Sequence, residues 1–194
     1  MTLVFDSETT GKADFKALPS AEHQPHLLQL AAVVLDDTLA VRARFSAIVE
    51  PDGYEIPAEA SAIHGITTEI AKACGFPLRD ILQQFFVFQQ RCFTRVAHNL
   101  RFDDLIVASA FSRIDDEWDR SQMLGRCTML EMTEICDIPG PYGPKWPKLA
   151  EAYKYATSRD LEGAHDAMAD VMACVEIYRW LETHKTVSNE KKSE

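Results

Sequence analysis

The sequence of 194 residues is 46% hydrophobic, 9% aromatic and 26% charged, which fits one domain, or one domain with a tail, and excludes a disordered or fibrous chain. Lys and Arg number 20 against 30 Asp and Glu, a net charge of −10. That balance excludes a basic nucleic-acid coat or tail, but not a nucleic-acid enzyme whose acidic site is neutralised by cations.

Residues 2–5 are a short apolar run that stops at Asp6, the pattern of a buried strand delivering a polar residue at its end. Residues 27–35 and 41–49 are rich in β-formers and are joined by Asp36, Asp37 and Thr38, which predicts a hairpin. Three strands therefore open the chain. After a turn-rich break at 51–57, helical pieces are expected at 58–63, 69–73 and 78–91, punctuated by Gly65, Gly75 and Pro77. A fourth strand is expected at 94–97. Helical spacing returns over 102–114, where Ile106, Val107, Ala110, Phe111 and Ile114 make a stripe. A loop rich in Pro and Gly is expected at 135–147, followed by a helix near 149–155. The last helix, over about 166–182, places Ala167, Val171, Cys174, Tyr178 and Leu181 on one face. Residues 1–184 then form the domain, and 185–194 read as a polar, flexible tail. Strands first, then strand and helix mixed, predict an α/β domain with a mixed sheet.

The cysteines, Cys74, Cys92, Cys127, Cys136 and Cys174, are odd in number and contain no C-x-x-C pair. Neither a disulfide framework nor a zinc site is suggested, and all are expected to be buried, reduced thiols. The N-terminus lacks the basic start and apolar stretch of a signal peptide, and the longest apolar run, 30–35, is far short of the ~18 residues of a membrane helix. A cytoplasmic protein with no membrane partner is expected.

Acidic side chains carry the chemistry. Asp6 and Glu8, two apart at the end of a strand, point to the same side, among Ser7, Thr9, Thr10 and Gly11, small residues that let a ligand approach the backbone. Asp103 heads the apolar stripe that follows it, whereas Asp104 is turned about 100° away and is expected to be an ordinary exposed or helix-start acid. Asp170 lies on the buried face of the last helix. Taken singly, Asp103 or Asp170 reads equally well as half of a buried salt bridge. Taken together, Asp6, Glu8, Asp103 and Asp170 sit at element ends able to converge on one sheet edge. Two carboxylates ~4 Å apart repel by about 4 kcal/mol at an effective dielectric near 20, so a cluster of such acids needs cations. Hard oxygen donors suit Mg²⁺ or Mn²⁺. His165 is offset from Asp170 by ~140° on an ideal helix. The two meet if Asp166 caps the helix and His165 stays in the loop before it, where a histidine can serve as general base.

In order, the motifs Asp6-Ser7-Glu8-Thr9-Thr10-Gly11, His98-Asn99-Leu100-Arg101-Phe102-Asp103 and His165-Asp166-Ala167-Met168-Ala169-Asp170 resemble those of the DEDDh, or DnaQ-like, 3′–5′ exonucleases, including the proofreading exonucleases of DNA polymerase III. Between them, Ala62-Ile63-His64-Gly65-Ile66-Thr67 resembles that family's I-H-G-I-T segment. The sister branch with a tyrosine four residues before the last acid is excluded, because Asp166 stands there.

The resemblance implies a ribonuclease H-like fold with a central mixed five-stranded sheet flanked by helices. It implies removal of nucleotides from the 3′ end of single-stranded DNA as 5′-mononucleotides, assisted by two divalent ions, Mg²⁺ or Mn²⁺. By that analogy Asp6, Glu8 and Asp170 hold one ion, Asp6 and Asp103 (through water) the other, and His165 takes the proton of the attacking water. Thr9, Glu59, His64, Ile66, Asn99 and Phe102 are the implied substrate-binding positions, with Ile66 wedged against the terminal base. Arg91, Arg95 and Arg101, or Lys145, Trp146 and Lys148, are candidates to touch phosphates or stack a base. The −10 net charge predicts contact with only a few nucleotides. A DNA polymerase partner in proofreading or repair is a further implication. Action on RNA ends is an alternative, and a non-catalytic module binding nucleic-acid ends or a polymerase is another, from a different class.

Overall fold

In the computed structural model, residues 1–163 and 165–190 are described. Strands β1 (Thr2–Thr9), β2 (Leu27–Leu35) and β3 (Val41–Ile48) form an antiparallel meander. The turn after β2 is held by Asp36, whose Oδ1 accepts the backbone N–H groups of Thr38 and Ala40. Three helices follow, α1 (Ala58–His64), α2 (Thr68–Cys74) and α3 (Leu78–Gln89), and then β4 (Thr94–Ala97) and α4 (Leu100–Ser112). The chain continues through β5 (Leu124–Cys127), α5 (Thr128–Cys136), the two-residue strands β6 (Pro139–Gly140) and β7 (Gly143–Pro144), α6 (Leu149–Thr157) and α7 (Ala167–Glu190).

The main sheet has the order β3-β2-β1-β4-β5, with β1, β4 and β5 parallel and β2 antiparallel to β1. It is the mixed five-stranded, helix-flanked sheet expected of the ribonuclease H-like fold. All of β2 is buried, because both faces of the sheet are covered. Side chains alternate between two cores. Leu3 and Phe5 join Leu30 and Ala32 under α3 and α4, and Val4 joins Ala31 and Val33 under α7. On the first face Trp118 meets Phe5 and Phe85 edge to face, and its Nε1–H donates to Gln89 Oε1.

Several boundaries differ from the sequence expectation. The first strand does not stop at Asp6. It runs to Thr9, because Asp6, Ser7 and Glu8 find ladder partners in Ala31, Leu30 and Gln29. The β5 sequence, Leu124-Gly125-Arg126-Cys127, carries no apolar alternation and is strand because β4 offers it an edge. Helix α7 continues past 182 to Glu190. The tail read from 185 onward thus falls on the α7 backbone and on 191–194, which lie outside the described residues. The cysteines are free, but only Cys92 and Cys174 are buried. Cys74, near the end of a short surface helix, is exposed, which corrects the expectation of uniform burial. Among the described residues, no helix is long and apolar enough to cross a membrane.

Candidate active site

Strand alternation sets the first two acids. Asp6 and Glu8 share the face of Val4, beneath α7, while Ser7 between them shares the face of Phe5, beneath α4. From α4, Asp103 reaches back to that second face. It is 2% exposed, and its Oδ1 accepts a hydrogen bond from the Ser7 hydroxyl at 2.7 Å. The entry to α4 is sharp, with Asn99 in the left-handed region at φ 80°.

The third contribution comes from the far end of the chain. Asp166 caps α7 as expected, its Oδ1 accepting the N–H groups of Met168 and Ala169 at 3.1 and 3.0 Å. Gln29, paired with Glu8 across the β1–β2 ladder, accepts the Ala167 N–H at 3.4 Å and so ties the start of α7 to the sheet. His165 stays outside the helix at φ 71°, exposed, and its backbone N–H donates to Asp170 Oδ2 at 3.2 Å. Asp170 is 9% exposed, and its other oxygen, Oδ1, is buried without a hydrogen-bond partner. Glu8, His165 and Asp170 each offer a donor atom within 4.8 Å of the other two.

The electrostatics follow from that crowding. Burial, then the neighbouring charges of Asp103, Asp170 and Glu8, hold the Asp6 carboxyl well above its ordinary range. Burial, then Asp170 and Asp166, push Glu8 up to about 7. Asp103 is pushed up to about 8 by burial, against the opposing pull of the Ser7 hydrogen bond. Burial raises Asp170 too, against the His165 N–H. Each acid resists ionisation because its charged form is desolvated and faces other acids. No arginine or lysine pairs with the four among the described residues, so the buried salt bridge is not the answer. An oxygen-rich cluster with an orphaned carboxylate oxygen fits divalent cations.

The other sequence-derived positions divide. Thr9 is buried, with its hydroxyl donating to the Gly11 carbonyl at 2.7 Å. His64 accepts the Ile66 N–H at Nδ1, and its Nε2 is buried. Burial lowers the His64 pKa, opposed by the Thr9 backbone and reinforced by nearby His165, so His64 lies at the same end of the sheet. Glu59 is exposed in the first turn of α1. Ile66, by contrast, is packed with Leu28, Ile56, Ala60 and Ala71 at 5% exposure. Its side chain is part of a core and does not present a wedge to a base. Phe102 likewise packs against the main core.

Two expectations about charges are corrected. Asp104 is not a free helix-start acid. It pairs with Arg95 at 3.0 Å and with Arg120 at 3.7 Å, which removes Arg95 from the candidates for phosphate contact. Lys145 is engaged by Glu151 at 2.6 Å. Ser7 and Gln29 were missed as residues that position the site. Their signal is a polar side chain inside an otherwise buried strand.

The model of the exonuclease family RNase_T matches residues 3–178. No curated protein matches the sequence. Among solved structures, an exonuclease I structure described as suggesting how processivity is achieved superposes with a TM-score of 0.77 at 23% identity, over 94% of this chain and 40% of that one. Escherichia coli exonuclease I in complex with a dT13 oligonucleotide gives 0.77 at 22%, over 98% and 42%. The zinc-bound form of the E. coli exonuclease I–single-stranded DNA complex gives 0.76 at 23%, over 94% and 40%. The chain thus spans about two fifths of the exonuclease I chains it resembles, and the likeness is one of fold.

Proposed function

The chain belongs to the exonuclease family RNase_T, and from that premise we propose that it removes nucleotides hydrolytically from the 3′ end of single-stranded DNA and releases 5′-mononucleotides. The observation that carries the proposal is the meeting of Asp6, Glu8, Asp103 and Asp170, from three distant stretches of sequence, with His165 beside two of them. The DNA substrate is supported by the exonuclease I complexes, which hold single-stranded DNA.

In this reading Asp6, Glu8 and Asp170 would hold one divalent ion, Mg²⁺ or Mn²⁺, and Asp6 with Asp103 a second. Such ions acidify water and neutralise charge that develops on the phosphate and on the leaving 3′ oxygen. His165 accepts the proton of the attacking water at a ring nitrogen. Its backbone N–H, fixed to Asp170, keeps the ring near the carboxylates, and its exposed side lets the proton pass to solvent. Ser7 orients Asp103, and Gln29 with Asp166 sets the start of α7, so the acids are pre-positioned before substrate arrives. In this reading Thr9, Glu59, His64 and Asn99 would receive the terminal nucleotide.

The test is a time course on single-stranded DNA and RNA oligomers labelled at either end, with Mg²⁺, Mn²⁺ or chelator. Stepwise shortening of 5′-labelled DNA, immediate mononucleotide release from 3′-labelled DNA and no reaction in chelator are expected. Release beginning at the 5′ end, or faster attack on RNA, would overturn the reading.

A further inference from the structure

A cleft of about 700 Å³ opens along α4, the helix that carries Asp103, and is lined among others by Phe15, Asn99, Arg101, Cys127, Leu130 and Trp146. That volume is in the range of small-molecule sites. Asn99 follows β4 and Cys127 ends β5, and both strands run parallel to β1. One end of the cleft therefore lies outside the carboxyl ends of β4 and β5, the end of the sheet to which β1 delivers Glu8 and Thr9 and where ligands bind in open α/β sheets.

Its aromatic and charged groups are left unspent by the fold. Trp146 is 65% exposed and Phe15 43%. The Arg101 guanidinium lies 4.7 Å above the Phe15 ring, and among the described residues no carboxylate pairs with it. The acids in the cleft wall are already engaged, Asp104 by Arg95 and Arg120, and Glu131 by Arg126. Arg101 is thus a cation on a planar platform with no carboxylate partner among the described residues.

Trp146 is also held in place from behind. The carbonyl of the next residue, Pro147, accepts a hydrogen bond from His98 Nε2 at 3.0 Å, and the Thr128 hydroxyl lies 3.0 Å from His98 Nδ1. A carbonyl only accepts, so Nε2 carries the hydrogen and, in the neutral ring, Nδ1 is the acceptor. Burial lowers the His98 pKa and favours that neutral ring. On the other side of Trp146, Lys145 is fixed to Glu151. A large indole kept in solvent on an anchored loop gains nothing for the fold and suits a stacking partner.

We propose that this cleft is a second nucleotide subsite, which takes an unpaired nucleotide of the substrate strand on the 5′ side of the one being removed, with its base against Trp146 and its phosphate at Arg101. The proposal rests on the exonuclease reading for the identity of the strand. Bases present a π-face to an indole whatever their sequence, and a guanidinium is the side chain that best matches a phosphate.

The test uses the full chain and a phosphorothioate-linked (dT)8, which resists cleavage, in the presence of Mg²⁺. Of the other two tryptophans, Trp118 is 3% exposed and Trp180 is packed on α7 away from the cleft wall, so quenching of indole emission by the strand is expected to be lost largely in Trp146→Phe. Affinity, read by anisotropy of the labelled strand, should weaken about tenfold in Trp146→Ala and in Arg101→Gln, with thermal unfolding unchanged for these exposed residues. No quenching by the strand, equal quenching in Trp146→Phe, or affinities within twofold of the parent would overturn the subsite, as they would if the cleft instead receives an apolar peptide. Incubation with unmodified (dT)8 tests the exonuclease reading separately. Trp146-dependent binding without shortening would sink that reading and leave the subsite standing.

Discussion

The Ser7 hydroxyl donates to Asp103 Oδ1 across 2.7 Å, joining residue 7 of the first strand to the most deeply buried of the clustered acids. The bond favours the ionised carboxylate, so its removal makes Asp103 hold its proton more tightly. Ser7→Ala should fold and lose about tenfold in kcat/KM, with the acid limb of the pH–rate profile moved upward. A profile superposable on the parent's would show that Ser7 only packs.

Asp103→Asn keeps an acceptor for Ser7 and removes a charge that the cluster resists. Nucleotide release should fall by more than about a thousandfold, in the range of losing a principal electrostatic contribution. The same variant without metal should be more stable than the parent, by about 1–3 kcal/mol at pH 8. Denaturant unfolding in chelator checks this, and a destabilised variant would contradict the repulsion argument.

The pH dependence of metal-free stability has a definite sign. Glu8 and Asp103 are raised to about 7 and about 8, above the ordinary carboxylate values of an unfolded chain. Between those limits the folded state binds more protons, so this contribution is fully present below about pH 4 and is lost as pH rises through 7 and 8. Melting temperature in chelator should therefore decline from pH 6 to pH 9. Added Mg²⁺ or Mn²⁺ should raise it most at the alkaline end, where the acids are already deprotonated.

His165→Gln should reduce kcat by about 10²–10⁴-fold, the usual contribution of a positioned general base. Its backbone N–H to Asp170 survives the change, so Mn²⁺ affinity, followed by calorimetry, should move little. Loss of Mn²⁺ binding in step with activity would instead make His165 a ligand, a role its position beside Glu8 and Asp170 also permits.

What the sequence disclosed depended on periodicity. Residues 27–35 and 94–97 are strands with the boundaries expected, because apolar and β-branched runs declare themselves. Asp103 and Asp170 were recognisable as acids on apolar helix faces, and the loop placement of His165 followed from Asp166 as a cap. β5 was not legible, since Gly125 and Arg126 give it no pattern and its structure comes from β4. Arg95 was open to misreading for a similar reason. Its partner Asp104 lies nine residues on in the sequence, and only the turn from β4 into α4 brings them together.

The acids are drawn from the first strand, a middle helix and the last helix, which has a consequence for the timing of activity. A chain still being synthesised has Asp6, Glu8 and Asp103 long before it has Asp170, and Gln29 has nothing to receive until the closing helix docks. On the proposed reading, nucleotide removal therefore requires that α7 has been made and has docked. A copy cut short before Asp170 is then expected to leave the nucleic acids around it intact, and the order of the fold acts as its own safety catch.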